Sequence, residues 1–161
     1  MCHSPFIVKL IETYQTNERL HFILEFIHGG ELYALIRKQQ LKELEARFYV
    51  VEIICALQYL HKKNIIYRDL NPENILISKD GHIKLVDFTY SHIGNECRDT
   101  SGVIAYLAPE IITIQGHSFA SDMWALGAIF YEILMGTAPH FNKDPNTLKK
   151  LRLQGNLDFP K

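Results

Sequence analysis

Between Lys42 and Lys63 the chain runs without a glycine or a proline, and this uninterrupted stretch constrains the fold more than any other feature. Leu44, Phe48, Val51 and Cys55 recur within it at helical spacing, and Ile54, Leu57 and Leu60 widen the stripe. The spacing predicts a long helix packed along that stripe. Lys62 and Lys63 complement its negative end, and Asn64 can take the left-handed conformation that stops it. The rest of the chain has to pack around this rod.

Shorter elements flank it. Residues Lys9 to Tyr14 and Leu20 to Ile27 are rich in branched and aromatic side chains and are separated by a polar turn, so they read as an antiparallel pair. Gly29-Gly30 breaks the pattern, and Glu31 to Gln40 resumes with helical spacing. Beyond the long helix, Ile75 to Ser78 and His82 to Val86 flank Asp80-Gly81, a tight-turn signal between strands. Tyr90 to Gly102 reads as irregular, and Ala108-Pro109-Glu110 opens a short helix with proline in its first turn. Ser121 or Asp122 is expected to cap a helix from Met123 to Met135 that is apolar on nearly every face, and Asn146 to Gln154 forms the last helix. No internal repeat, low-complexity run or interdomain linker interrupts the order.

Composition narrows the function classes. At 161 residues, 47% hydrophobic and 22% charged, the chain can bury one respectable core. Seventeen basic residues nearly balance eighteen acidic ones, so no global field argues for nucleic acid or a membrane surface as partner. Any charged partner has to be held locally. Cys2, Cys55 and Cys97 are odd in number and scattered, which fits a reducing setting, the cytoplasm or nucleus, better than a disulfide framework. The apolar run from Ala125 to Leu134 contains Glu132 and is too short to cross a bilayer. The eight histidines lack the paired spacing of a metal site.

The chemistry concentrates between Ile65 and Thr89. Asp69 and Asn74 lie five apart in a loop, and the hairpin turn folds Asp87 back toward Asn74. An amide oxygen and a carboxylate converging there suit a hard divalent cation that also takes phosphate oxygens, with Asp69 free to accept a proton from a hydroxyl. A loop of solvated polar residues has the same spacing, so this pattern alone leaves both readings open.

Further residues extend the pattern. Tyr67-Arg68-Asp69, Pro72-Glu73-Asn74, Asp87-Phe88 and Ala108-Pro109-Glu110, in that order, resemble the ordered signatures of eukaryotic protein kinases. The tyrosine of Tyr67-Arg68-Asp69, together with Gly29-Gly30-Glu31-Leu32 and Leu107-Ala108-Pro109-Glu110, is similar to the cyclic-nucleotide-dependent branch of the serine/threonine kinases. The resemblance implies an α+β kinase-like fold, mainly the helical large lobe plus the last two strands of the small lobe. It implies ATP and Mg²⁺ as cofactors, with Asp69 as catalytic base and Asn74 and Asp87 as metal ligands. Leu24, Glu25, Ile27, Glu31 and Leu76 would meet ATP, although core packing explains the apolar ones equally well. Arg68 would reach the activation segment. Glu31, Glu73 and Glu132 match the acids that hold substrate arginines, so the implied partner is a protein with basic residues near a serine or threonine. A surface or capping acid is the plain alternative for Glu31, whereas Glu132 inside an apolar helix needs a partner or a purpose.

The pattern is also broken. Asn71 stands where the family has the lysine that neutralises the transferred phosphate, Thr89 replaces the glycine after Asp87-Phe88, and Val103 replaces the bridging threonine. Asp99 falls where relatives are phosphorylated, so its fixed charge is expected to meet Arg68; a plain exposed loop acid reads the same. No Gly-x-Gly-x-x-Gly occurs. The expectation is therefore a partial domain over 1–161, with 1–27 a remnant of the small lobe and hinge and 28–161 an incomplete large lobe, exposing apolar surface and transferring phosphate weakly or not at all. Glu110 would lack its family arginine. The alternatives are a pseudokinase-like binding or decoy module and a fragment of a longer kinase.

Overall fold

The computed structural model describes residues 4–157 and residue 159; Cys2 lies outside the described residues. Strands β1 (Leu10–Gln15) and β2 (Leu20–Leu24) pair antiparallel, closed by the Thr16 N–H donating to the Arg19 carbonyl at 2.9 Å. The second strand stops at Leu24 rather than Ile27. Every residue of β1 is exposed, so this pair lies outside the core. Its entry is stitched to the hairpin below through the Val8 N–H, which donates to the Leu85 carbonyl at 2.9 Å.

Helix α1 (Leu32–Lys38) is shorter than its pattern, and α2 (Glu43–His61) follows with Asn64 left-handed at φ 55° just after it. The helix forms where the sequence places it, but only the Leu57 and Leu60 side of the expected stripe is buried. Ala46, Ile53, Ala56, Leu57 and Leu60 face the core, whereas Leu44, Phe48, Val51, Ile54 and Cys55 are exposed. The buried face joins the core, where Ala46 and Ala56 are fully enclosed alongside Ile53 and Leu60.

After α2, β3 (Ile65–Ile66) leads into the polar loop and a 3₁₀ turn, Pro72–Asn74. Strands β4 (Ile75–Ile77) and β5 (Ile83–Leu85) then form the hairpin, with Gly81 at φ 86° supplying the turn geometry that Asp80-Gly81 predicts. Glu52 of α2 holds the hairpin in place. One of its carboxylate oxygens accepts the Ile83 N–H at 2.9 Å and the other meets His82 Nδ1 at 2.5 Å.

The segment expected to be irregular contains two short strands. β6 (His92–Ile93) pairs with β3, and β7 (Glu96–Cys97) pairs with β8 (His117–Ser118). Neither pair is visible in local sequence, because each joins residues far apart in the chain. Helix α3 (Pro109–Ile112) starts with its proline in the first turn as expected. Helix α4 (Phe119–Met135) begins earlier than predicted, capped by the Ser118 side chain on the Ala120 N–H, and it ends at left-handed Gly136. It is not buried on every side, since Met123 and Trp124 are exposed. Helix α5 (Pro145–Gln154) is capped by Asp144.

The core gathers α1, α2, α4 and the β4–β5 hairpin, with Leu32, Ile53, Leu60, Ile75, Ile83, Leu85, Ile129 and Ile133 among its buried residues. It sits directly under the polar loop. Replacing Ile53 with alanine is expected to cost about 2–5 kcal/mol of unfolding free energy. Phe48→Ala, on the exposed stripe, is expected to cost well under about 1 kcal/mol. Urea denaturation of the two variants distinguishes the observed face of α2 from the face its sequence suggests.

Candidate functional site

The loop from Tyr67 to Asn74 is held from beneath by one carboxylate. Asp122, 1% exposed at the start of α4, accepts the Tyr67 N–H at 2.9 Å and the Arg68 N–H at 2.8 Å, and contacts His61 Nε2 at 2.7 Å. Arg68 has a positive φ of 73°, a conformation that a side chain rarely adopts without such restraint. Expected only as a possible helix cap, Asp122 is therefore the anchor of the loop. From above, the Tyr67 hydroxyl donates to the Val86 carbonyl, and its ring meets Phe88 edge-on with centroids 5.3 Å apart. Through these contacts the loop and the end of β5 are fixed to each other.

Asp69 sits in this frame half-buried. Its Oδ2 accepts Asn74 Nδ2 at 2.8 Å, and the Val103 backbone is near enough to favour its charged form. Burial pushes the Asp69 carboxyl above its ordinary pKa, and the nearby Asp87 charge adds to the rise against these hydrogen bonds. Asp87 is exposed and left-handed at φ 52°, and its Oδ1 accepts the Thr89 N–H at 3.0 Å. The left-handed residue of this turn is thus Asp87. Thr89 is not among the residues of positive φ, so this conformation does not require a glycine there. Asp69, Asn74 and Asp87 lie close together, as their spacing suggests.

Asn71 plays a part the sequence conceals. Its Oδ1 accepts the N–H groups of Glu73 at 3.0 Å and Asn74 at 3.2 Å, capping the 3₁₀ turn, while its Nδ2 donates to the Asp69 carbonyl at 3.0 Å. A lysine has no acceptor and could not cap this turn. The amide thus trades a mobile cation for a rigid loop.

Arg68 and Asp99 meet as expected: Nη2 lies 2.7 Å from Oδ2, and Nη1 donates to the Tyr90 carbonyl at 2.8 Å. The guanidinium, with further hydrogen bonds from Ser101, holds the Asp99 carboxyl well below the usual carboxylate range. Val103 is exposed next to this segment.

Among the three candidate arginine-holding acids, Glu132 is fully buried and has found partners. Its Oε1 pairs with Arg37 Nη2 at 2.8 Å, and its Oε2 accepts the Tyr106 hydroxyl at 2.5 Å. Burial raises the Glu132 carboxyl, opposed by Tyr106 and Arg37. Glu73 is exposed and close enough to raise it further, whereas Glu31 is exposed at the start of α1 and caps nothing with its side chain. Arg37 and Tyr106 escaped the sequence reading, although the need of Glu132 for a partner was the signal that pointed to them. Glu110, half-buried, forms no ion pair among the described residues.

The residues expected to meet ATP are less united. Leu24 is 45% exposed. Glu25 is engaged, its Oε1 accepting the Lys9 N–H at 2.8 Å and Lys84 Nζ at 2.6 Å. Glu25 and Ile27 line a cleft together with Phe6, His28 and Lys84, while Glu31 and Leu76 pair with each other across a backbone bridge outside it. Of the five, Glu25 and Ile27 line this cleft.

Residues 1–159 match the model of the protein kinase domain. The chain belongs to the protein kinase family. It is 42% identical over 159 residues to the human cAMP-dependent protein kinase catalytic subunit PRKX, covering 98% of this chain and 44% of that protein. It is 41% identical over 160 residues to the cAMP-dependent protein kinase catalytic subunit of Dictyostelium discoideum, covering 98% of this chain and 25% of that one. The ribosomal protein S6 kinase 2 beta of Xenopus laevis is 40% identical over 163 residues, with 98% and 26% covered. The kinase chain thus spans less than half the length of each of these relatives. Its family generally uses ATP and Mg²⁺ and acts on protein substrates, and among the described residues no helix is long and apolar enough to cross a membrane.

Two outcomes test this site. Asp122→Ala leaves three donors without their charged acceptor and is expected to lower unfolding stability by about 3 kcal/mol or more, read by chemical denaturation. For Asp69, the folded state holds the proton more tightly than the unfolded chain, so its contribution is fully present below the ordinary carboxylate pKa and is lost as pH rises through the raised folded-state pKa. Asp69→Asn is therefore expected to melt higher than the parent at about pH 7, with the gap closing toward about pH 4, in thermal melts at both values.

Proposed function

We propose that this kinase chain contributes the base, the metal ligands and the peptide face for transfer of the γ-phosphoryl group of ATP to a serine or threonine near basic residues. The observation that carries the reading is the cluster at the hairpin base: Asp69 fixed by Asn74 at 2.8 Å, with Asp87 close enough to perturb it. The donor set fits Mg²⁺. Asn74 uses its amide nitrogen on Asp69, which leaves its oxygen available, and Asp87 uses only Oδ1 on Thr89. Two hard oxygens of this kind suit a cation that retains positions for phosphate. Bound ATP and Mg²⁺ would supply the phosphoryl group and neutralise its developing charge. Glu25 and Ile27, which line the cleft beside Phe6 and Lys84, would offer backbone groups to adenine.

The chain's own residues would do the rest. Asp69, its carboxyl raised by burial, orients the attacking hydroxyl and takes its proton. Glu73 and Glu132 receive a substrate arginine, Glu132 in a site already built for one guanidinium by Arg37. The Arg68–Asp99 pair holds the activation segment with a permanent charge in the place of a phosphate. Transfer would be slow, because Asn71 caps its turn and offers no cation; a missing electrostatic contact of this kind costs about 10²–10³ in rate.

The same observation favours a second reading, a binding module that holds basic peptides without turnover. One experiment addresses both. The purified chain is incubated with Mg²⁺, ATP and an arginine-bearing serine peptide. Slow phosphopeptide formation, lost in Asp69→Ala and raised by Asn71→Lys even though that change removes a cap worth about 1 kcal/mol, supports transfer. Peptide retention without any phosphopeptide, abolished by Glu73→Lys, overturns it in favour of the binding module.

A further inference from the structure

The last helix carries a charge that the loop chemistry does not use. Leu148 and Arg152, four residues apart, form the buried face of α5, and Arg152 is 1% exposed. Among the described residues it has no carboxylate partner within ion-pair distance. Its Nε donates to the Leu107 carbonyl at 3.0 Å and its Nη1 to the Ala105 carbonyl at 2.5 Å, while the guanidinium lies 5.7 Å from the centre of the Trp124 ring. Nη2 is buried with no hydrogen-bond partner. Burial pulls its pKa down to about 10, so it remains charged at neutral pH.

Stability alone does not explain this arrangement. Taking a cation out of water without a carboxylate is unfavourable, and an apolar side chain of similar size would fill the same space at no such cost. The arginine does provide a rigid fork that meets two carbonyls at once. Those carbonyls end a tight turn in which the Tyr106 N–H donates to the Val103 carbonyl at 2.9 Å and the Leu107 N–H to the Ile104 carbonyl at 3.3 Å.

This turn connects the two halves of the site. At one end Val103 lines a small cavity together with Asp69. In the middle the Tyr106 hydroxyl donates to Glu132, which also holds Arg37. At the other end the turn rests on Arg152 and on the small apolar cluster of Leu107, Ala108 and Ile111. The separation between Asp69 and Glu132 is therefore spanned by a turn whose far end is fixed by the fork.

We propose that Arg152 is a positioning residue for peptide recognition: by fixing the Ala105 and Leu107 carbonyls it sets the spacing between the site of the substrate hydroxyl at Asp69 and the site of the substrate arginine at Glu132. This rests on the peptide reading above. It adds a determinant in α5, which touches no substrate and acts only through the turn.

The test compares the parent with Arg152→Met and Arg152→Lys by two measurements. The first is hydrogen exchange of the amides of residues 103–107 against those of α4. The second is affinity for serine peptides whose single arginine is moved stepwise relative to the serine. The parent is expected to favour one arginine spacing. Arg152→Met is expected to melt at or above the parent temperature, to exchange the turn amides about tenfold faster with α4 unchanged, and to lose about tenfold of the preference between spacings. Arg152→Lys, which keeps the charge but offers one donor head, is expected to recover part of it. Unchanged turn exchange in Arg152→Met overturns the positioning role, whatever the peptides do. Faster exchange with the spacing preference intact also overturns it, leaving Arg152 a purely structural contact. A parent that binds none of the peptides overturns the peptide reading itself and the positioning role with it, and the exchange data then stand as a local property of the turn.

Discussion

A single buried carboxylate supports the chemistry of this chain. Asp122 accepts two successive backbone N–H groups from the loop and meets His61 from α2, so the first turn of α4, the end of α2 and the polar loop share one charge. A loop containing a left-handed arginine would otherwise relax. With it held, Asp69 projects from a fixed backbone, and the Tyr67 ring can bridge to the end of β5 where Asp87 begins. Charge-assisted hydrogen bonds are strong enough for this because Asp122 is buried.

Three further buried charges organise the lower part of the molecule, each in a different way. Glu52 satisfies a strand N–H and a histidine, joining α2 to the hairpin. Glu132 is satisfied by a guanidinium and a phenol. Arg152 alone relies on carbonyls, which accept its hydrogen bonds without cancelling its charge. Helices α4 and α5 therefore contribute more than packing, since each delivers a charged group to the segment lying over the loop.

The departures from the family pattern acquire physical meaning in this setting. Asn71 is a capping residue as much as a missing lysine, and its two backbone acceptances rigidify the turn that carries Asn74. Thr89 is accommodated because Asp87, not its second neighbour, takes the left-handed conformation. Asp99 meets Arg68 at 2.7 Å, a pairing that needs no modification to form. Together these features describe a loop held in one arrangement.

Local patterns were enough for much of the architecture. The long helix, the Asp80-Gly81 hairpin, the proline-started α3 and the left-handed Asn64 follow from periodicity and backbone preference, which act over a few residues. The ordered motifs also marked Asp69, Asn74 and Asp87 and the family to which the chain belongs. What sequence alone could not determine was which face each helix buries and which partner each buried charge finds. Of the apolar stripe of α2 that looked internal, Leu57 and Leu60 are buried together with Ala46, Ile53 and Ala56, whereas Leu44, Phe48, Val51, Ile54 and Cys55 face outward. Asp122 on the loop, Arg37 and Tyr106 on Glu132, and Arg152 under residues 105–107 join positions dozens of residues apart, and only the packed tertiary structure brings such groups within hydrogen-bonding distance.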